Sequence, residues 1–205
     1  GLPPAVTAAT GIDAMVHAIE AFTSKRLKNP LSDMLAREAL RLMAGNIETA
    51  VKQGDNLEAR SAMLLGAMLA GQAFANAPVA AVHGLAYPLG GNYHIPHGLS
   101  NSLVLPHVLR FNAPEAADLY AQLAPIILPG QQLPDDPIAV TQILADYFLA
   151  LAEDLGLQTT LRQMNIPEAD LSMLAQEAML QQRLLINNPR ELTLDDALAI
   201  YRQAF

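Results

Sequence analysis

The residues of this sequence whose types and spacing could support chemistry are one aspartate and three histidines. Asp13 and His17 lie four residues apart in the segment Gly-Ile-Asp-Ala-Met-Val-His-Ala-Ile-Glu, and His83 and His97 bracket a later segment broken by proline and paired glycines. Residues four apart share one face of a helix, so the first pair can hold one ion. Because the chain has no cysteine, a metal would be bound by nitrogen and oxygen alone. The set suits a divalent ion that acts as a Lewis acid on a bound oxygen.

Neither pair establishes a metal site alone. An Asp–His pair at this spacing is commonly an ordinary pair on a helix surface, and a single histidine on an apolar helix is commonly a core residue. However, four of the five histidines lie between positions 83 and 107, and a chain that turns back at the glycines can aim two rings at one point. Fe²⁺ and Zn²⁺ both accept this ligand set, and occupancy in a cell depends on metal supply because intrinsic affinity favours Zn²⁺.

Composition limits the class of protein. The chain has 205 residues, of which 52% are hydrophobic and 16% charged, so it can form one large domain or two small ones. Its net charge of −8 and the lack of a basic run argue against nucleic-acid binding, which requires clustered lysine and arginine. No apolar stretch is an uninterrupted membrane span. The absence of cysteine fits a reducing compartment, and we expect a cytoplasmic protein.

Hydrophobic periodicity predicts helices nearly throughout. We expect a short helix, a break and the start of another helix over residues 78–98, and a linker from Pro129 to Pro137. Ser32 is the expected cap of the second helix, Pro167 opens another helix, and Thr193 caps the last one. There is no alternating strand pattern and no glycine-rich phosphate loop after a strand, so we predict an all-α, bundle-like domain of eight or more helices. The other predicted helices cover residues 7–23, 32–53, 57–75, 99–111, 116–128 and 138–155.

Taken together, the two histidine-bearing segments resemble the iron-containing (group III) alcohol dehydrogenase family. The segments 100–112 and 188–190 resemble it too, and the likeness covers essentially the whole chain. Members of that family pair an N-terminal α/β dinucleotide-binding domain with a C-terminal all-α metal domain of the dehydroquinate-synthase-like type. This chain resembles the second part only, and it begins at Gly1 rather than at methionine. We therefore expect residues 1–205 to be the helical, metal-binding catalytic domain of a longer enzyme.

The resemblance also implies a function. It places the metal ligands on Asp13, His17, His83 and His97, with Fe²⁺ as the first expectation and Zn²⁺ as the alternative. It implies interconversion of an alcohol and an aldehyde or ketone with NAD or NADP, which the missing N-terminal domain would bind. A homodimer or higher homo-oligomer is expected, with a small alcohol or aldehyde as substrate, and the 205-residue part alone should be inactive. Phe74 matches a family position near the substrate pocket.

The family pattern fails at one position. Many members have a second histidine four residues after the first ligand of the His-Gly motif, where this chain has Tyr87. A phenol is a poorer proton shuttle at neutral pH than an imidazole, so the identity of the proton relay is open between Tyr87 and His94. His107 is expected to be a structural core residue. Glu20 is expected on a solvated helix face, with orientation of the His17 ring as the alternative.

Other functions remain open from the sequence. A glycerol-dehydrogenase-like or dehydroquinate-synthase-like enzyme would share the two-domain plan but would use a carboxylate and two histidines as ligands. A fourth ligand from the Asp13/His17 pair favours the alcohol dehydrogenase instead. A non-catalytic metal-binding helical domain is a further hypothesis, and it predicts no open position on the metal.

Overall fold

The computed structural model describes all 205 residues. The chain forms helices joined by short loops and has no strand. This architecture confirms the predicted all-α fold of eight or more helices. Two short 3₁₀ helices, Arg162–Met164 and Glu168–Asp170, precede the eighth α-helix. The ten α-helices are α1 Pro4–Thr23, α2 Pro30–Ala44, α3 Ile47–Lys52, α4 Leu57–Asn76, α5 Ala81–Tyr93, α6 His97–Ile127, α7 Pro137–Asp154, α8 Leu171–Met179, α9 Gln182–Leu185 and α10 Leu194–Ala204.

Local side-chain chemistry sets several helix ends. Thr193 caps α10 as expected, in a capping box with Asp196. The predicted cap of α2 was wrong, because Asn29 rather than Ser32 is the cap: the Asn29 side chain accepts a hydrogen bond from the Ser32 N–H at 2.9 Å. The single helix predicted over 32–53 is also divided. The Asn46 side chain donates to the Leu42 carbonyl at 2.8 Å, and this local bond competes with continuation of the helix.

Proline breaks fewer helices than the sequence pattern predicted. Helix α5 continues through Pro88, and α6 runs for 31 residues through three prolines. The break expected within 78–98 is therefore displaced to His94–Pro96, and the two helices predicted over 99–128 are one. Each proline removes one helix hydrogen bond, but tertiary contacts hold the helices together. In α5 the buried Tyr201 hydroxyl donates to the Leu85 carbonyl at 2.5 Å, next to the turn that Pro88 disturbs.

Helix α1 lies at the centre of one continuous hydrophobic core and packs against α2, α3, α4 and α6. Helix α5 packs against α6, α8 and α9, while α7 covers the long side of α6. Because α1 is buried on most sides, most of its polar side chains are buried or partly buried, with Thr10 as the exposed exception. This arrangement brings the first turns of α5 and α6 to the face of α1 that carries Asp13 and His17.

Helix α4 is the most exposed apolar element. Leu57 and Leu64 are 77% and 75% exposed, and Met68 is 51% exposed. No single helix is long and apolar enough to cross a membrane, and α4 and α5 reach that composition only as a pair bent by 106°.

Candidate metal centre

Three helices contribute the four residues singled out from the sequence. Asp13 and His17 occupy successive turns of α1, His83 lies in the first turn of α5, and His97 is the first residue of α6. The structure brings all four to one place, although the sequence separates the second pair from the first by more than 60 residues.

The distances suit a single ion. One ligand atom from each of Asp13, His17 and His83 lies within 4.8 Å of the others, and the Nε2 atoms of His17 and His83 are 3.1 Å apart. The Asp13 Oδ1 lies 3.6 Å from the Nε2 of His83 and 3.6 Å from that of His97. Donor atoms on a tetrahedral ion with bonds of about 2.1 Å are separated by roughly 3.4 Å. His97 is the outer member, since its side chain is 48% exposed. Besides its contact with Asp13, its ring lies 5.3 Å from the His83 ring, measured between centroids.

The surroundings of the His17 ring favour its neutral form. Burial lowers its pKa to about 4, helped by the neighbouring His83, while Asp13 and Glu20 act in the opposite direction. His17 is therefore neutral at physiological pH, the form in which an imidazole binds a metal. Phe74 stacks on this ring with the centroids 4.5 Å apart, so the position matched to the substrate pocket covers one face of a candidate ligand.

Glu20 does not lie on a solvated helix face, and that expectation was wrong. The residue is 4% exposed, and its Oε2 lies 2.7 Å from the Nδ1 of His83. Its backbone partners are the N–H groups of Ala80 and Val82, at 2.9 and 2.7 Å. The carboxylate thus bonds directly to His83, not to His17 as the alternative proposed. The position of Glu20 one helical turn beyond His17 indicated a supporting role in the sequence, but its partner can be identified only from the packing of α5 against α1.

Asn101 is a site residue that the sequence analysis missed. It is fully buried, and its Nδ2 donates to the Asp13 Oδ1 at 2.6 Å and lies 3.2 Å from the His97 Nε2. Its own Oδ1 is buried without a hydrogen-bond partner. Asn101 follows His97 by one helical turn, so the same spacing that singled out Asp13 and His17 was the signal. Its amide holds the carboxylate of α1 against the start of α6.

The structure separates the two candidates for the proton relay. The Tyr87 ring lies 6.0 Å from the His97 ring, one turn beyond His83 on α5. His94 ends α5 in the left-handed conformation, with φ of 55°, and is exposed. No hydrogen bond, ion pair or ring contact joins the His94 side chain to the four clustered residues.

His107 is buried in α6, where burial lowers its pKa to about 4.

Comparison with known proteins identifies the family of this chain. The family profile described as "Fe-containing alcohol dehydrogenase family, C-terminal" matches residues 7–205. The chain belongs to this family. It is 39% identical to the 1,3-propanediol dehydrogenase of Klebsiella pneumoniae over 206 residues, and 41% identical to long-chain-alcohol dehydrogenase 1 of Geobacillus thermodenitrificans (strain NG80-2) over 208 residues. These alignments include 100% of this chain but 52% and 51% of those proteins.

A solved structure gives the same result for the fold. The crystal structure of a 1,3-propanediol oxidoreductase superposes with a TM-score of 0.94 at 38% identity, covering 100% of this chain and 53% of that one. The resemblance inferred from the two histidine-bearing segments is therefore confirmed at the level of family and fold. The chain spans about half the length of the curated iron-containing alcohol dehydrogenases that it matches.

Proposed function

We propose that residues 1–205 are the metal-binding catalytic domain of an NAD(P)-dependent alcohol dehydrogenase that interconverts an alcohol and an aldehyde or ketone. The observation that supports this most is the meeting of Asp13, His17, His83 and His97 from three helices. His17 lies within the compact group together with Asp13 and His83. This ligand set favours the alcohol dehydrogenase over the glycerol-dehydrogenase-like and dehydroquinate-synthase-like alternatives, which would use one carboxylate and two histidines.

The donor set fits a divalent ion. The Nδ1 of His83 is bonded to Glu20, so its Nε2 is the ring nitrogen that faces His17 and Asp13. Imidazole nitrogens and a carboxylate suit Fe²⁺ and Zn²⁺ alike, and the family description favours iron. We assign the ion to Asp13, His17, His83 and His97. When bound, the ion would supply a Lewis acid that polarises a substrate oxygen.

The surrounding side chains would orient the substrate. Phe74 covers one face of His17 and provides an apolar wall for the carbon chain of an alcohol. Tyr87 lies beside His97 on the more exposed side of the cluster, where its hydroxyl can exchange a proton with the substrate or with solvent. We therefore favour Tyr87 over His94 as the proton relay.

The nicotinamide cofactor is assigned to residues beyond these 205. The chain forms no strand, and so it has no strand–turn–helix phosphate site of the dinucleotide-binding type. We propose that a separate domain binds NAD or NADP and that the substrate, a small alcohol or aldehyde, lies in the cleft between the two parts. Assembly as a homodimer or larger homo-oligomer in the cytoplasm stays a prediction.

Metal analysis and an activity assay test this proposal together. The purified chain should bind about one equivalent of Fe²⁺ under anaerobic conditions, or of Zn²⁺, and His83→Ala should abolish binding. Tyr87→Phe is the matched control that should keep the metal. The longer protein should reduce NAD⁺ or NADP⁺ in the presence of primary alcohols, and the 205-residue chain alone should not. The proposal fails if wild type and His83→Ala bind metal equally, or if the metal-loaded longer protein oxidises no alcohol.

A further inference from the structure

The carboxylate of Glu20 is buried and receives three N–H groups. Its Oε1 accepts from the Val82 N–H at 2.7 Å, and its Oε2 accepts from the Ala80 N–H at 2.9 Å and lies 2.7 Å from the Nδ1 of His83. Both oxygens of Glu20 accept backbone N–H groups, and an acceptor oxygen 2.7 Å away favours the proton on the Nδ1 of His83. All three partners belong to the segment that begins α5.

This contact determines which nitrogen of His83 faces the cluster. With the proton on Nδ1, the Nε2 has a free lone pair, and Nε2 lies 3.1 Å from the His17 Nε2 and 3.6 Å from the Asp13 Oδ1. The opposite tautomer would place an N–H where a metal has to bind. Carboxylates that accept from the outer nitrogen of a metal-binding histidine fix its tautomer and its ring orientation in this way.

Glu20 also caps the N-terminus of α5. Ala80 is the N-cap residue of α5, and no side chain of its own segment caps the helix. The free N–H groups of a helix start favour a negatively charged acceptor, and here a residue of α1 provides it. His83 is the third residue of α5, so the carboxylate that anchors the helix start also orients the ring. Asn187 holds the same segment from the other side, donating to the Val79 carbonyl at 3.2 Å.

We propose that Glu20 is a positioning residue of the metal centre, which fixes both the tautomer of His83 and the start of α5 relative to α1. The role rests on the proposed function, since it presupposes that His83 binds a metal. Glu20 is not a ligand, because both of its oxygens are occupied by N–H donors.

Glu20→Gln is the variant that tests this role. It preserves size, but the amide has only one acceptor oxygen, so one of the three N–H groups must lose its partner or face an NH₂ group. With Zn²⁺ as the probe ion, competition against a chromophoric chelator should show affinity lowered about 10- to 100-fold. Nitrogen NMR of the metal-free chain should show the Nδ1–H tautomer of His83 in wild type. The fraction of this tautomer should fall in Glu20→Gln, because a neutral amide oxygen accepts more weakly than a carboxylate.

Asn112→Ala is the matched control. Asn112 is buried in a polar pair with Asn188 and lies 15 residues beyond His97 on α6, so its loss should lower stability without changing Zn²⁺ affinity. Unchanged Zn²⁺ affinity and an unchanged tautomer in folded Glu20→Gln would overturn the proposal. Should that variant not fold, the wild-type spectrum decides, because an Nε2–H tautomer in the metal-free chain also overturns it. If wild type binds neither Zn²⁺ nor Fe²⁺, the proposed function fails instead, and the tautomer still reports on Glu20.

Discussion

Gly98 lies against the backbone of α1 beside the candidate metal centre, with no room for a side chain. Replacing Gly98 by alanine should therefore displace the start of α6 and weaken metal binding. A Cβ atom added at Gly98 would lie 2.3 Å from the Ala9 carbonyl oxygen and 2.7 Å from its carbon. Both atoms belong to the backbone of α1, so no side chain can move aside. Since carbon–oxygen contacts normally exceed about 3.3 Å, the start of α6 must shift by about 1 Å. His97 is the preceding residue, and Asn101 is one turn away.

Two opposing effects determine how much stability changes. Overpacking of this kind costs about 1–3 kcal/mol, whereas alanine in a helix is favoured over glycine by about 1 kcal/mol. The metal-free variant should therefore be less stable than wild type by up to about 2 kcal/mol. Metal binding should be more sensitive to this shift than folding stability is, because metal–ligand distances can vary by only about 0.2 Å. Displacement of His97 should weaken metal affinity by at least about tenfold.

Gly71→Ala provides the control, because nothing lies within 4 Å of a Cβ atom at that position in α4. It should gain about 1 kcal/mol and leave metal affinity unchanged. Urea unfolding with chelator present measures the free energy of unfolding of the metal-free chain, and Zn²⁺ competition measures affinity. Equal behaviour of Gly98→Ala and Gly71→Ala in both measurements would refute this prediction, since the start of α6 would then accommodate the methyl group without strain and without loss of the site.

Three further predictions follow from the site and the core. A metal that binds only the folded chain should stabilise it by about 2.7 kcal/mol at a hundredfold excess over the dissociation constant; chelator should lower Tm accordingly, and His83→Ala should abolish this sensitivity. Tyr87→His in the longer enzyme should introduce a titration near pH 6 to 7 in the pH–rate profile without loss of metal, whereas a packing role predicts an unchanged profile. Burial lowers the pKa of His107 to about 4, so the unfolded chain, with a histidine pKa of about 6.5, binds the extra proton between these values. As pH falls from 7 to 5, wild type in chelator should lose about 2 kcal/mol more stability than His107→Gln, and equal losses in urea unfolding would contradict this.

The sequence was sufficient to predict most of the helices and the four residues that the structure brings together. Hydrophobic periodicity located most helices, because an amphipathic helix needs no knowledge of its partners to be recognised. Asp13 and His17 were found from a spacing that the helix itself imposes. His83 and His97 were found because histidine is rare in this chain and clustered in one region. Each of these patterns can be read from a short stretch of sequence. The packing of α5 and α6 against α1 then brings the four residues together.

The supporting residues could not be predicted in the same way. The partners of Glu20 lie 60 to 63 residues away in the sequence, and Asn101 bonds to Asp13 across 88 residues. An acidic residue on a helix is solvated more often than buried, so the sequence favoured the wrong environment for Glu20. The continuous helices through Pro88 and Pro114 were missed for a related reason. Local preference predicts a break at each proline, but the packing on both sides of each proline is a property of the whole fold.

Charge explains why two carboxylates belong at this site. His83 and His97, the proposed ligands from α5 and α6, both lie in the first turns of their helices, where free N–H groups carry partial positive charge that opposes a cation. Asp13 faces the cluster itself, and Glu20 neutralises the start of α5 from behind His83. With His17 neutral, the two carboxylates would balance the charge of a bound divalent ion and leave no uncompensated charge at the site. Replacing either carboxylate by its amide would leave an excess positive charge when the ion is bound. We therefore expect Glu20 to affect metal affinity without being a ligand.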